Sequence, residues 1–205
     1  MSPNNWLTRT LPGAVAGISC LYLSWVLVGV WLDPMARDNG SWVPFAVGLL
    51  VIEFLALHSS VFITNLMAEH ETLTQRLKFG AGLTAFYLLM AVGIAAGVGS
   101  PSLVLILASI MVSRIISAFT ASPETKAHNN ARAAVGIVLY VGLAGATVFV
   151  AVPEMGITTS VLNEVYPNRG GGVWERYPER PIVAGAIYFG LIGLAELYWA
   201  LKEGR

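Results

Sequence analysis

The chain has 205 residues, of which 56% are hydrophobic and only 12% are charged, and its 12 basic and 12 acidic side chains cancel. A soluble domain usually carries about 25% charged residues, so this composition excludes an ordinary soluble domain and indicates an integral membrane protein. The zero net charge leaves no basic surplus, and we predict no nucleic-acid partner. Cys20 is the single cysteine, which excludes an intramolecular disulfide.

Apolar stretches of membrane-spanning length occur at six places. A helix needs about 20 apolar residues to cross a bilayer, and the sequence predicts spans over residues 14–31, 42–66, 79–98, 102–121, 133–152 and 181–201. We therefore predict an all-α fold, an integral membrane helical bundle of about six transmembrane helices. We expect a single transmembrane domain over residues 1–205 that is embedded in the lipid bilayer.

Local signals mark the ends of these spans. Gly99-Ser100-Pro101 predicts a tight turn, and Ser122 followed by Pro123 is typical of a helix start. The first span carries small residues on nearby turns, which favours close packing of another helix; they are Gly17, Cys20 and Ser24.

A longer outer segment, residues 153–180, joins the fifth and sixth predicted spans. Four of its apolar residues have helical spacing with polar residues between them: Ile157, Val161, Leu162 and Val165. The pattern is typical of a short amphipathic helix at the outer interface, and an ordinary packed loop is the alternative.

Basic residues in the connectors set the expected orientation. With six spans, seven lie on the side of the termini: Arg9, Arg76, Lys78, Lys126, Arg132, Lys202 and Arg205. Four lie on the other side: Arg37, Arg169, Arg176 and Arg180. Since basic residues are retained in the cytoplasm, we expect both termini there.

Ionisable residues lie well inside three predicted spans. Glu53 and His58 are in the second span, Arg114 in the fourth and Glu196 in the sixth. Each costs about 2.5–3.5 kcal/mol at the centre of a spanning helix. At about 1.5 Å per residue, the four share one depth band on helices that run in the same direction. We predict that they turn inward, with the planar guanidinium of Arg114 between the two carboxylates.

Smaller polar residues extend this group along the helical faces. Asn65 shares a stripe with His58, Ser60 shares a face with Glu53, and Ser117 lies one turn from Arg114. The predicted buried polar seam therefore comprises Glu53, His58, Ser60, Asn65, Arg114, Ser117 and Glu196. Two interpretations stay open, namely ion pairs that fix helix packing and a functional polar pathway.

Histidines offer alternative sites for a cofactor. His58 is a candidate haem or metal ligand, although a b-type haem needs a second axial ligand and no other predicted span carries a histidine. A second candidate metal set in the connectors comprises Glu69, His70, Glu124 and His128. We predict no cofactor, with haem or a metal ion as the alternative.

Motifs of known catalytic chemistry are missing from the sequence. It contains no G-x-S-x-G, H-E-x-x-H, Walker or dinucleotide-binding pattern. His58 stands beside Ser59, but neighbours in a helix point apart. We therefore predict no catalytic residue and favour a small multi-pass protein that is a subunit or partner in a membrane complex, as a homo-oligomer or with other membrane subunits. The alternatives are a proton or solute transporter or channel using the seam, and a redox protein with a His-ligated cofactor.

Two short stretches resemble an uncharacterised family of small bacterial multi-pass inner-membrane proteins. The first is Glu53-Phe54 with His58 shortly after, and the second runs from Arg180-Pro181 through Ala186-Ile187-Tyr188-Phe189 to Glu196. The similarity covers about a quarter of the chain, and Ser113-Arg114 departs from the polar pattern of that family. The resemblance implies a membrane protein of about six spans in a bacterial inner membrane.

Overall fold

A computed structural model describes residues 4–69, 72–120 and 123–203. Within these ranges, the side chains of residues 4–10, 12, 60, 61, 63–69, 73, 114, 117–120, 123–129 and 203 are not described. The described residues form an all-α structure, and five of its helices are long and apolar enough to cross a membrane. These features support a membrane-embedded helical protein.

The helices differ from the predicted spans mainly at their ends. Their bounds are α1 Asn4–Leu32, α2 Trp42–Glu69, α3 Leu73–Val98, α4 Ser102–Thr120, α5 Pro123–Phe149, α6 Thr159–Val165, α7 Val173–Arg176 and α8 Glu179–Glu203. α3 begins before residue 79 because Thr72 and Gln75 form a reciprocal capping box. α5 begins at Pro123, which supplies the preformed φ angle of a first helical position.

The chain divides into two compact units, which are described separately. Unit 1 comprises Met1–Val43 and Leu143–Arg205, and unit 2 comprises Pro44–Gly142. Unit 1 contains α1, α6, α7, α8 and the end of α5, and unit 2 contains most of α2 and α5 with α3 and α4.

In unit 1, α1 and α8 form a closely packed antiparallel pair. A Cβ atom on Gly17 would lie 2.7 Å from Leu197 Cγ and 2.9 Å from the Gly193 carbonyl oxygen, so only glycine permits this approach. Further along, the Ser24 hydroxyl donates to the Ala186 carbonyl oxygen at 2.7 Å. The predicted packing role of the small residues is therefore confirmed at Gly17 and Ser24.

In unit 2, α3 and α4 are joined by the predicted tight turn. Gly99 ends α3 with a left-handed φ of 69°, and the amide of Ser100 donates back to Ala95 O at 2.9 Å. α2 packs on this corner, since a Cβ on Gly48 would lie 2.5 Å from Leu103 Cδ1. The buried core of the unit includes Val47, Leu50, Ile52, Leu103, Leu107 and Met111.

Candidate functional site

The predicted polar seam is described only in part. In unit 2, Glu53 is half-buried and His58 is exposed, and in unit 1 Glu196 is half-buried. The side chains of Ser60, Asn65, Arg114 and Ser117 lie outside the described residues. The inward grouping of Arg114 with Glu53 and Glu196 therefore stays a prediction.

His58 belongs to an aromatic ladder along α2, which we define as Phe54, His58 and Phe62. These residues are one turn apart and therefore share a face of the helix. The His58 ring is 5.8 Å from the Phe54 ring with 25° between their planes, and 4.5 Å from the Phe62 ring with 37° between planes. Phe54 is 41% exposed and Phe62 is 40% exposed. The ladder is thus an open surface of unit 2 and not part of its core.

A tyrosine on α3 fixes the orientation of the histidine. The Tyr87 hydroxyl lies 2.7 Å from His58 Nδ1, and Tyr87 is only 2% exposed. A hydroxyl buried at this depth needs a partner within the protein, and Nδ1 provides it. This contact holds one edge of the imidazole against α3.

A second tyrosine, on α5, contacts the ladder at Phe54. The Tyr140 hydroxyl donates to the Leu50 carbonyl oxygen at 2.7 Å, and its ring lies 5.9 Å from Phe54. Tyr140 is buried, so the ring that contacts Phe54 is held in place by packing and by this hydrogen bond. Neither tyrosine was predicted from the sequence as a site residue. Their hydroxyl groups inside apolar spans were the available signal, because such groups require partners.

The serine beside His58 faces away from it. Ser59 is fully buried and donates its hydroxyl to the Ala56 carbonyl oxygen of its own helix at 2.8 Å. His58 is exposed, so the two side chains lie on different faces of α2, as predicted from helical geometry. Ser59 and His58 therefore do not form a nucleophile–base pair.

In unit 1, the outer segment folds as a cap on one end of the α1–α8 pair. The Gly156 amide donates to the Trp31 carbonyl oxygen at 3.1 Å, and Trp31 Nε1 donates to the Pro153 carbonyl oxygen at 2.8 Å. A Cβ on Gly156 would overlap the carbonyl oxygen of Leu32, so glycine is required at this contact. The segment is thus attached to α1 by two backbone-directed hydrogen bonds.

The predicted amphipathic helix of this segment is present as α6. Thr158 caps it by accepting from the Val161 amide at 3.4 Å. Ile157 and Leu162 are buried, while Ser160 is exposed. The helix therefore presents its apolar side to unit 1 and its polar side outward.

Thr147, near the end of α5, joins that helix to the cap and to α8. Its hydroxyl accepts from Trp174 Nε1 at 2.8 Å and donates to the Ala144 carbonyl oxygen at 2.6 Å. Arg180 Nη1 donates to the Thr147 carbonyl oxygen at 3.2 Å. A cation at the C-terminal end of a helix is favourable, because the last carbonyl groups there lack helical partners.

Two polar side chains of unit 1 are buried near this cap. Tyr166 and Glu179 are 4% and 3% exposed. Within the described part of the chain, the Tyr166 hydroxyl has no hydrogen-bond partner. Burial, and then the Glu175 carboxylate, raise the pKa of Tyr166 above its ordinary value.

The candidate metal positions in the connectors are Glu69, His70, Glu124 and His128. His70 lies outside the described residues, and the side chains of the other three are not described. Across residues 4–69, 72–120 and 123–203, the described side chains include no group of three metal-ligating residues. The geometry around His58 is that of a stacked, hydrogen-bonded ring.

No protein-family model, curated protein or solved structure matches this chain.

Proposed function

We propose that this chain is a six-span protein of a bacterial inner membrane that works as a subunit or partner of a membrane complex, with the outer cap as its contact surface. The observation that carries the proposal is the anchored cap of unit 1. Its polar outward positions include Ser160, Asn163, Glu164 and Asn168, which are all exposed. A surface already held in one conformation loses little entropy on binding a partner.

The antiparallel pairing of α1 and α8 supports six spans. A Cβ on Gly13 would lie 3.2 Å from the Ala200 Cβ, while Ser24 bonds to Ala186 nearer the other end. If both helices cross the membrane, an even number of crossings must separate them. α2, α3 and α5 supply three, so α4 would supply the fourth. Its apolar stretch of described residues, Ser102–Ser113, is shorter than the others.

The orientation follows from charge. The α1–α8 pairing favours termini on one side of the membrane, and that side carries seven of the basic connector residues against four on the other. Because the side with more basic residues usually faces the cytoplasm, the termini would lie in the cytoplasm and the cap on the outer face. Trp31, Trp42 and Trp174 would lie at the outer interface, where indole rings are enriched.

Site-specific photocrosslinking tests the contact surface. A benzoylphenylalanine at Asn163 or Asn168, installed in the chain in its native membrane, should give adducts of defined mass. Peptide mapping should identify one partner, and tagging that partner should recover this chain. Val138, an exposed apolar residue of α5, is the control and should give no such adduct. Cap positions that yield no adduct in folded protein would overturn the proposal.

A second candidate function is a proton or solute transporter or channel. The observation that favours it is the tyrosine contact of His58 at membrane depth, because ionisable groups inside spans often mark proton or substrate pathways. Flux measured in proteoliposomes, and its loss in His58→Phe, would support this function. No flux above empty liposomes would remove it.

A further inference from the structure

The aromatic ladder of α2 places an exposed polar ring between two exposed phenyl rings. Phe54 and His58 lie within the apolar stretch Trp42–Ser59, and Phe62 follows one turn later. All three rings belong to unit 2. A flat ligand could therefore meet three rings of one helix without any contribution from unit 1.

The hydrogen bond to Tyr87 determines what His58 can offer to a ligand. A phenol is a good donor, and Nδ1 of a neutral imidazole is a good acceptor, so we assign Tyr87 as the donor. The proton of the imidazole then lies on Nε2. His58 consequently has an N–H donor on the ring edge away from Tyr87.

Acyl chains cannot satisfy this donor. Among the described residues, Tyr87 is the hydrogen-bond partner of His58. An unsatisfied polar group in the hydrocarbon region costs several kcal/mol, so a group that covers His58 Nε2 must accept a hydrogen bond. It must also lie against Phe54 and Phe62. A helix of a partner protein already uses its backbone carbonyl groups internally, so it would need one polar side chain to accept from His58 and apolar side chains to cover both phenyl rings. A planar ring with a carbonyl substituent meets both requirements in one molecule.

We propose that the aromatic ladder binds a lipid-soluble quinone. One quinone carbonyl oxygen accepts from His58 Nε2–H, and the quinone ring packs on Phe54 and Phe62, while its apolar tail remains in the bilayer. Tyr87 acts as a positioning residue because it holds the imidazole in the donor tautomer. The proposal concerns binding alone and stands independently of the partner surface on the cap.

Calorimetric titration of the protein in nanodiscs with decyl-ubiquinone tests this site. The unaltered protein should bind the probe saturably, and decylbenzene, which lacks carbonyl groups, should not compete. His58→Phe keeps a stacking ring but removes the donor, and we expect binding about tenfold weaker, the effect of one hydrogen bond. Phe62→Ala should also weaken binding. Leu89→Ala removes an exposed apolar side chain of α3 that lies outside the ladder, and it should leave the affinity unchanged.

A second measurement uses the unaltered protein, so its result does not depend on whether a variant folds. An azidoquinone photolabel applied to the unaltered protein should modify the peptide that contains residues 54–62. The proposal is overturned if decyl-ubiquinone does not bind saturably, if His58→Phe binds it equally well, or if the photolabel maps elsewhere. It is also overturned if His58→Phe abolishes an oligomer while quinone binding is absent, since a protein would then cover the ladder.

Discussion

Tyr166 shows how much a single buried hydroxyl can matter in the outer segment. Its side chain is buried, and its hydroxyl has no hydrogen-bond partner among the described residues. A buried polar group that makes no hydrogen bond costs about 1–3 kcal/mol. The ring therefore stabilises unit 1, whereas the hydroxyl opposes that stabilisation.

The substitution Tyr166→Phe should therefore stabilise the protein. It keeps the ring and removes the unsatisfied hydroxyl, so we expect the free energy of unfolding to rise by about 1 kcal/mol. Thermal unfolding in detergent measures the effect. Tyr177→Phe is the matched control, because Tyr177 is exposed in the same segment and should leave Tm unchanged. A lower Tm for Tyr166→Phe would mean that the hydroxyl has a partner.

Alkaline pH should weaken the cap through the same residue. The pKa of Tyr166 is raised above its ordinary value of 10.0, first by burial and then by Glu175. The folded state therefore holds the phenolic proton more tightly than the unfolded state does. The tighter binding of this proton in the folded state contributes fully to stability below pH 10.0. This contribution is lost as the pH rises from 10.0 towards the folded-state pKa. The free energy of unfolding, measured across this pH range, should fall less steeply for Tyr166→Phe than for the unaltered chain.

At the scale of the elements, the contact between α1 and α8 depends on glycine. Gly17 should not tolerate a methyl group, because Leu197 and the Gly193 backbone occupy its space. We expect Gly17→Ala to reduce the free energy of unfolding by about 1–3 kcal/mol, the usual cost of overpacking. Titration with a denaturing detergent measures this change.

Gly97 provides the control for that substitution. It also lies in a helix, α3, but a Cβ there would meet nothing within 4 Å. Gly97→Ala should be neutral or stabilising by up to about 1 kcal/mol, since alanine is the better helix former. Equal effects at Gly17 and Gly97 would show that helix propensity, and not packing, governs both positions.

The cap depends on the buried side of α6. Leu162 is buried, so Leu162→Asp would place a carboxylate in an apolar contact and should lower Tm and weaken partner recovery. Ser160→Asp changes an exposed residue of the same helix and should do neither. Thermal unfolding and co-purification provide the two measurements. Unchanged results for Leu162→Asp would contradict the anchoring of the cap through α6.

At the scale of the whole molecule, the crossing of α4 decides the topology. In a chain carrying Cys20→Ser, single cysteines replace Ser100 or Ser122 and are labelled with a membrane-impermeant maleimide. With six spans, Ser100→Cys should label from outside in intact cells, and Ser122→Cys only after the membrane is opened. Labelling of both from outside would show that α4 does not cross.

Within unit 2, the described geometry shows the surroundings of one residue of the predicted polar seam, His58. His58 is exposed and contacts a tyrosine, and its predicted inward grouping with Glu53, Arg114 and Glu196 stays a prediction. Periodicity placed His58 and Phe62 on one face of α2 correctly, since that relation is local. It could not reveal Tyr87, because the partner is 29 residues away in the chain and no spacing rule connects the two helices.

The sequence by itself determined the all-α, membrane-embedded character, because about 20 apolar residues in succession have few other stable environments. It also determined the Gly99 turn, the start at Pro123 and the amphipathic α6, since all three depend on neighbouring residues. Only the tertiary structure decided which glycines pack, which tyrosine holds His58 and how the outer segment attaches to Trp31. Those relations join residues far apart in the chain, and they depend on close contact between side chains that no local pattern specifies.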